Sequence, residues 1–222
     1  MIQALLQALS ALDTVQRVTV YVLPVVFAIT VHEAAHGYVA RHFGDMTAAA
    51  EGRITLNPLK HIDPVGTLLV PALTLLLGGI LFGWAKPVPV NFGRLRHPKR
   101  DMLWVAAAGP ASNFAMALLW AVAIKISPVL PPYAGLPLAL MGAAGIMINA
   151  VLMVLNLLPL PPLDGGRIAV SLLPQPYAWK FAQLERWGFV ILIVLLFTGI
   201  LGKILWPFIG LVVGLLSLIF NL

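Results

Sequence analysis

From Ile126 to Leu163 the chain runs 38 residues without a charged side chain, and four other stretches approach that character. Val18 to Ala40 is apolar except for His32, Glu33 and His36. Pro64 to Ala85 is uncharged over 22 residues and Met102 to Ile124 over 23, and Trp187 to Leu222 is broken only by Lys203. About 20 apolar residues carry a helix across the hydrocarbon core. In lipid the backbone must satisfy its own hydrogen bonds, so stretches of this length fold as helices. Composition agrees: 60% of residues are hydrophobic and 10% charged, against roughly 25% charged in a soluble domain. There is too little polar surface to cover a water-soluble fold.

The expectation is therefore an all-α polytopic membrane protein, one integral membrane domain over residues 1–222 with about five to six membrane segments. Its core covers 18–167, and further membrane segments lie in 187–222. The net charge of +6 does not point to nucleic acid, because Lys and Arg sit in short segments between apolar stretches, where topological anchors belong. With no cysteine, any metal must be held by His, Asp or Glu. No signal peptide is expected, since Met1 to Leu12 has no basic start.

The long run needs a loop, because Pro128, Pro131, Pro132 and Pro137 do not fit together in one helix, which places its helix at Leu138 to Leu158. The last run would make a helix of roughly 52 Å, too long for the membrane, so two short segments are expected, broken around Gly199, Gly202, Lys203 and Pro207. Met1 to Leu12 reads as a short amphipathic helix on the outer surface or as an extension of the first span. Pro64 to Ala85 carries Pro71 and Gly78-Gly79. If it crosses, the 13 basic residues before Lys203 divide 9 to 4 between the two sides; if it dips in and returns, they divide 11 to 2, with Arg17 and Lys125 opposite the other 11. The second division is the sharper, so a re-entrant segment is expected, with the N-terminus outside. Such backbone is tolerated where it lines a cavity.

Charged groups at membrane depth cost several kcal/mol and mark function. His32-Glu33-Ala34-Ala35-His36 places two imidazoles one turn apart on one helix face, within reach of one metal ion, with Glu33 able to address a water on it. Random placement of 5 His and 3 Glu gives roughly 0.0015 such matches. The competing reading is a pair of core histidines bonded to neighbouring helices. Catalytic zinc takes a third protein ligand. Asp45, Glu51, Asp63, Asp101, Glu185, His42, His61 and His97 sit in basic flanking segments and read as solvated surface groups. Asp164 differs, following an apolar helix through Pro159, Pro161 and Pro162 and preceding Gly165-Gly166, a segment able to turn a carboxylate back toward the bundle.

With Gly109-Pro110-Ala111-Ser112-Asn113 opening a later span and Asn156-x-x-Pro159-x-Pro161-x-Leu163-Asp164-Gly165 after a third, the chain resembles the site-2 protease family of intramembrane zinc metalloproteases. The likeness covers Val18 to Arg167 and extends to residues 52–58 and 83–91. The expectation is a small form, without the PDZ and CBS domains of larger members. The resemblance implies one Zn²⁺ per chain held by His32, His36 and Asp164, and Glu33 as the general base and acid. It also implies peptide-bond hydrolysis within or near the transmembrane helices of membrane-protein substrates, as in regulated intramembrane proteolysis. Asn156 and Asn113 are the candidates for contacting the oxyanion or substrate; Gly109, Ala111 and Asn149 read as packing. The implied setting is a plasma (inner) membrane, with the site toward the cytoplasm and a transmembrane protein or peptide substrate and membrane lipid as partners. Lys86 to Asn91, with Pro87 and Pro89, reads as an extended or β edge element that pairs with substrate or a neighbouring strand, or as a plain connector. The alternative function is a metal-binding or metal-transport protein using the His32–His36 helix as a transit site.

Overall fold

The computed structural model describes residues 1–69 and 85–222, with the backbone alone at 67 and 68. The described residues contain nine α-helices: α1 (Ile2–Ala11), α2 (Thr14–His42), α3 (Thr47–Ala50), α4 (Pro98–Ile126), α5 (Pro132–Asn156), α6 (Asp164–Leu172), α7 (Gln175–Ala182), α8 (Glu185–Phe197) and α9 (Ile200–Phe220). Four of them, α2, α4, α5 and α9, are long and apolar enough to cross a membrane. The chain is a multi-pass membrane protein.

Helix α2 begins with a capping box, Asp13 accepting from the Gln16 backbone while the Gln16 side chain accepts from Asp13 N–H. Helix α5 starts six residues earlier than expected. Pro132 sits in its first turn, where a missing N–H costs nothing, and Pro137 removes one bond near the start, so the two prolines fit in one helix after all. The last apolar run divides at a single point, Gly199, whose φ of 71° is left-handed. Helix α9 then runs unbroken through Gly202, Lys203 and Pro207, a full span in place of the second short segment expected.

Helices α4 and α5 form the centre, flanked by α2 on one side and by α1 and α9 on the other. Ala117 and Ala121 of α4 and Ala143, Ala144 and Ala150 of α5 are all but fully buried. Small side chains let the backbones approach closely, which is how helices associate when lipid is as apolar as the core. Helix α1 packs on α5 through Ile2 and Leu9 and is an integral part of the core.

The end of α2 and the approach to α4 lie side by side. Arg96 N–H donates to Phe43 O at 2.9 Å, and Lys86 N–H donates to His61 O at 2.9 Å. Of the expected re-entrant segment, Pro64 to Ala85, a helical turn is seen at Pro64–Leu69, and residues 70–84 lie outside the described residues. Residues 85–91 carry no regular secondary structure, and no β-strand occurs among the described residues, so the expected β element is not found there.

Helix α8 crosses the prolines at the close of the α5–α6 connection so tightly that a Cβ at Gly188 would overlap the Pro161 carbonyl oxygen. Backbone cannot yield there as a flexible side chain would. Gly188→Ala is expected to cost about 3 kcal/mol or more, read as a lowered midpoint or aggregation in detergent. Gly210→Ala, where a Cβ meets nothing within 4 Å, leaves the midpoint in place.

Candidate metal centre

The i, i+4 spacing on α2 sets His32 and His36 side by side, their Nε2 atoms 3.1 Å apart. Asp164, the first residue of α6, brings its Oδ2 to 3.3 Å from His32 Nε2 and 3.4 Å from His36 Nε2. The three side chains are only 9–12% exposed. The turn that returns Asp164 to α2 is compact, since a Cβ on Gly165 or Gly166 would overlap the backbone of residues 157–161. The structure therefore brings together the three residues named from sequence.

The outer ring nitrogens decide what the inner ones can do. His36 Nδ1 lies 2.7 Å from Val105 O, which can only accept, so Nδ1 carries the proton. Asn113 donates through Nδ2 to Ala28 O and Asn149 Oδ1, turning its own Oδ1 to His32 Nδ1 at 2.6 Å, so that nitrogen also donates. With both Nδ1 atoms engaged on the outer side, the two Nε2 atoms face each other and Asp164 Oδ2, a buried oxygen without a hydrogen bond. Three metal-ligating atoms converge here, a set suited to holding one cation. Ligands about 2.0–2.1 Å from a tetrahedral zinc stand roughly 3.3–3.4 Å apart. The observed 3.1–3.4 Å triangle fits such an ion.

Gly109 of α4 makes room for this pair. A Cβ there would stand 2.5 Å from His32 Cε1 and His36 Nε2 and 2.6 Å from His32 Nε2. Helix α4 thus supplies a gap at Gly109, a carbonyl at Val105 and an amide at Asn113, each contacting one or both imidazoles.

Asn113, expected as an oxyanion or substrate contact, is fully buried behind His32, its Nδ2 donating to Ala28 O and Asn149 Oδ1 and its Oδ1 facing His32 Nδ1. Asn156 lies in the last turn of α5, where one of its two N–H groups donates to Leu152 O at 3.0 Å. Asn149, read from sequence as packing, completes the buried chain Asn149–Asn113–His32. A polar amide deep in an apolar helix costs free energy unless partnered, and that was the available signal. Val105 contributes through its backbone, for which residue identity carries no signal.

Glu33 is half-buried, and its Oε2 accepts from Val88 N–H at 2.7 Å. The segment bearing Val88 is held at its far end by Asp45. Asp45, Asp101 and His61, expected at the surface, are buried. Asp45 accepts from Thr47 N–H, Thr47 Oγ1 and Asn91 N–H. Burial by itself would raise its carboxyl pKa; these hydrogen bonds and nearby Arg94 outweigh that and hold it below the ordinary value. A depressed folded-state pKa contributes stability above the unfolded value of about 3.9 that is lost as pH falls through the folded pKa. Asp45→Asn is accordingly expected to lower the unfolding midpoint at pH 7, and the gap to wild type should close below about pH 3.9.

In comparison with known proteins, residues 134–198 match the family model described as peptidase family M50. The chain is 40% identical over 194 residues to the Bacillus subtilis (strain 168) protein named "Putative zinc metalloprotease YwhC", with 84% of each chain covered. It is 33% identical over 186 residues to "Putative zinc metalloprotease Rip2" of Mycolicibacterium smegmatis, covering 79% of this chain and 66% of that one. The protein of the same name from Mycobacterium tuberculosis (strain H37Rv) is 31% identical over 186 residues, with 82% and 70% covered. No solved structure matches.

Proposed function

The chain belongs to peptidase family M50, the site-2 protease family of zinc metalloproteases, and from that premise we propose that it hydrolyses peptide bonds within or beside the transmembrane helices of membrane-protein substrates. The observation that carries this reading is the close, buried triangle of His32, His36 and Asp164, with Glu33 one residue from its first corner. One Zn²⁺ per chain, bound there, would lower the pKa of its water toward about 7 and polarise the scissile carbonyl. His32 and His36 hold their tautomers through Asn113 and Val105, keeping both Nε2 lone pairs directed inward. Glu33 takes the proton from the attacking water and delivers it to the leaving amine. Asn156, which keeps an uncommitted N–H, is the amide left for the oxyanion or the substrate backbone.

The setting follows from charge. The end of α2 and the start of α4 lie on one face with Arg41, Lys86, Arg94, Arg96, Lys99 and Arg100 close in sequence. By the positive-inside rule that face is cytoplasmic, in a plasma membrane, and the enzyme would release cytoplasmic fragments of its substrates in regulated intramembrane proteolysis. A metal-transit role is not favoured. Transit requires further ligands along a path, and among the described residues His32, His36 and Asp164 form the one group suited to a metal.

The test is to reconstitute the zinc-loaded protein in liposomes with single-span peptides and to map the cut by mass spectrometry. Cleavage within or just beside the apolar stretch is expected. Cleavage confined to soluble peptides would overturn the reading.

A further inference from the structure

We propose that the main-chain N–H of Val88 is a positioning group for Glu33, and that residues 85–91 form a strap built to hold it there. The inference rests on Glu33 being the proton carrier. Val88 N–H donates to Glu33 Oε2 at 2.7 Å. Gly37, one turn beyond Glu33 on the same face of α2, lets the strap lie against the helix: a Cβ there would come within 3.2 Å of Val88 Cγ1 and 3.0 Å of Ile54 Cγ1. The Val88 side chain is buried in that contact.

The strap is fastened on both sides of this point. Lys86 N–H donates to His61 O, and the buried guanidinium of Arg53 donates to the carbonyls of Lys86 and Pro87 at 2.9 and 3.2 Å. Asn91 N–H donates to Asp45 Oδ2 at 2.6 Å. Pro87 and Pro89 have no N–H, so Val88 offers the one donor at the crossing, and Glu33 receives it. A free glutamate samples several rotamers; with Oε2 held, the carboxylate is oriented before substrate arrives and Oε1 is left for the water proton. Backbone pinned by two other side chains and one carbonyl makes a stiffer donor than a side chain would.

The experiment uses full-length zinc-loaded protein and a single-span peptide, with kcat, KM, zinc content and unfolding midpoint measured for each variant. Val88→Pro removes the N–H, and kcat should fall roughly 10- to 100-fold with KM within about twofold and zinc retained. Val88→Ala keeps the amide and should restore kcat to within about threefold of wild type. Replacing residue 88 by its α-hydroxy acid, which puts an ester oxygen in place of the N–H, should reproduce the Val88→Pro loss and serves if that variant does not fold. Wild-type kcat in both N–H-deleted variants would overturn the inference, as would an increase, which would make the strap a restraint on Glu33. Equal losses in Val88→Pro and Val88→Ala would overturn it as well. Glu33→Gln in the same assay separates the two levels: if it cleaves like wild type, the role of Glu33 itself fails, whereas an inactive Glu33→Gln beside a fully active Val88→Pro refutes only the strap.

Discussion

Glu33→Gln is expected to slow peptide cleavage by roughly 10²- to 10⁴-fold while the protein keeps its zinc. The amide has nearly the shape of the carboxylate and can still face Val88, but it cannot take a proton from water. Because Glu33 is not among the three converging atoms, the triangle of His32, His36 and Asp164 should survive the change. The split between activity and metal content is the informative part. Loss of both would place Glu33 in the ligand set, and retention of activity would remove it from the chemistry.

Gly109→Ala carries the second large expected effect, in the opposite pattern. Its Cβ would stand 2.5–2.6 Å from atoms of both imidazoles, including both Nε2 atoms. Neither ring can swing away without breaking its bond to Asn113 or Val105. Zinc affinity should fall at least about 100-fold, and activity should fall with it and recover in part at high zinc. A variant that binds zinc like wild type would mean that α4 does not approach α2 as closely as the structure has it.

Much of this site was legible from residue types because its chemistry is unusual for its surroundings. His32, Glu33 and His36 are polar in an apolar helix, and Asp164 ends a 38-residue stretch without charge. The i, i+4 spacing puts the histidines on one face whatever else the fold does. The supporting groups were less legible, for two physical reasons. Val105 and Val88 act through backbone atoms, which every residue carries. Asp45, Asp101 and His61 lie in polar segments, and there composition does not separate a buried, hydrogen-bonded carboxylate from a solvated one. The helix boundaries missed in the same local way: Pro132 and Pro137 were read as breakers, but a helix tolerates proline in its opening turns. The partners of Asn113 were not legible from its motif, because a side chain's neighbours follow from packing between α4, α2 and α5.

The central claim is that His32, His36 and Asp164 together hold one zinc ion. It is tested most directly by the zinc-to-protein ratio of purified wild type and of Asp164→Asn, measured after identical dialysis against a weak chelator. The account predicts a ratio near one for wild type and a clear loss for Asp164→Asn, whose neutral amide cannot balance the ion's charge. A full zinc complement in Asp164→Asn, or none in an active wild type, would contradict it.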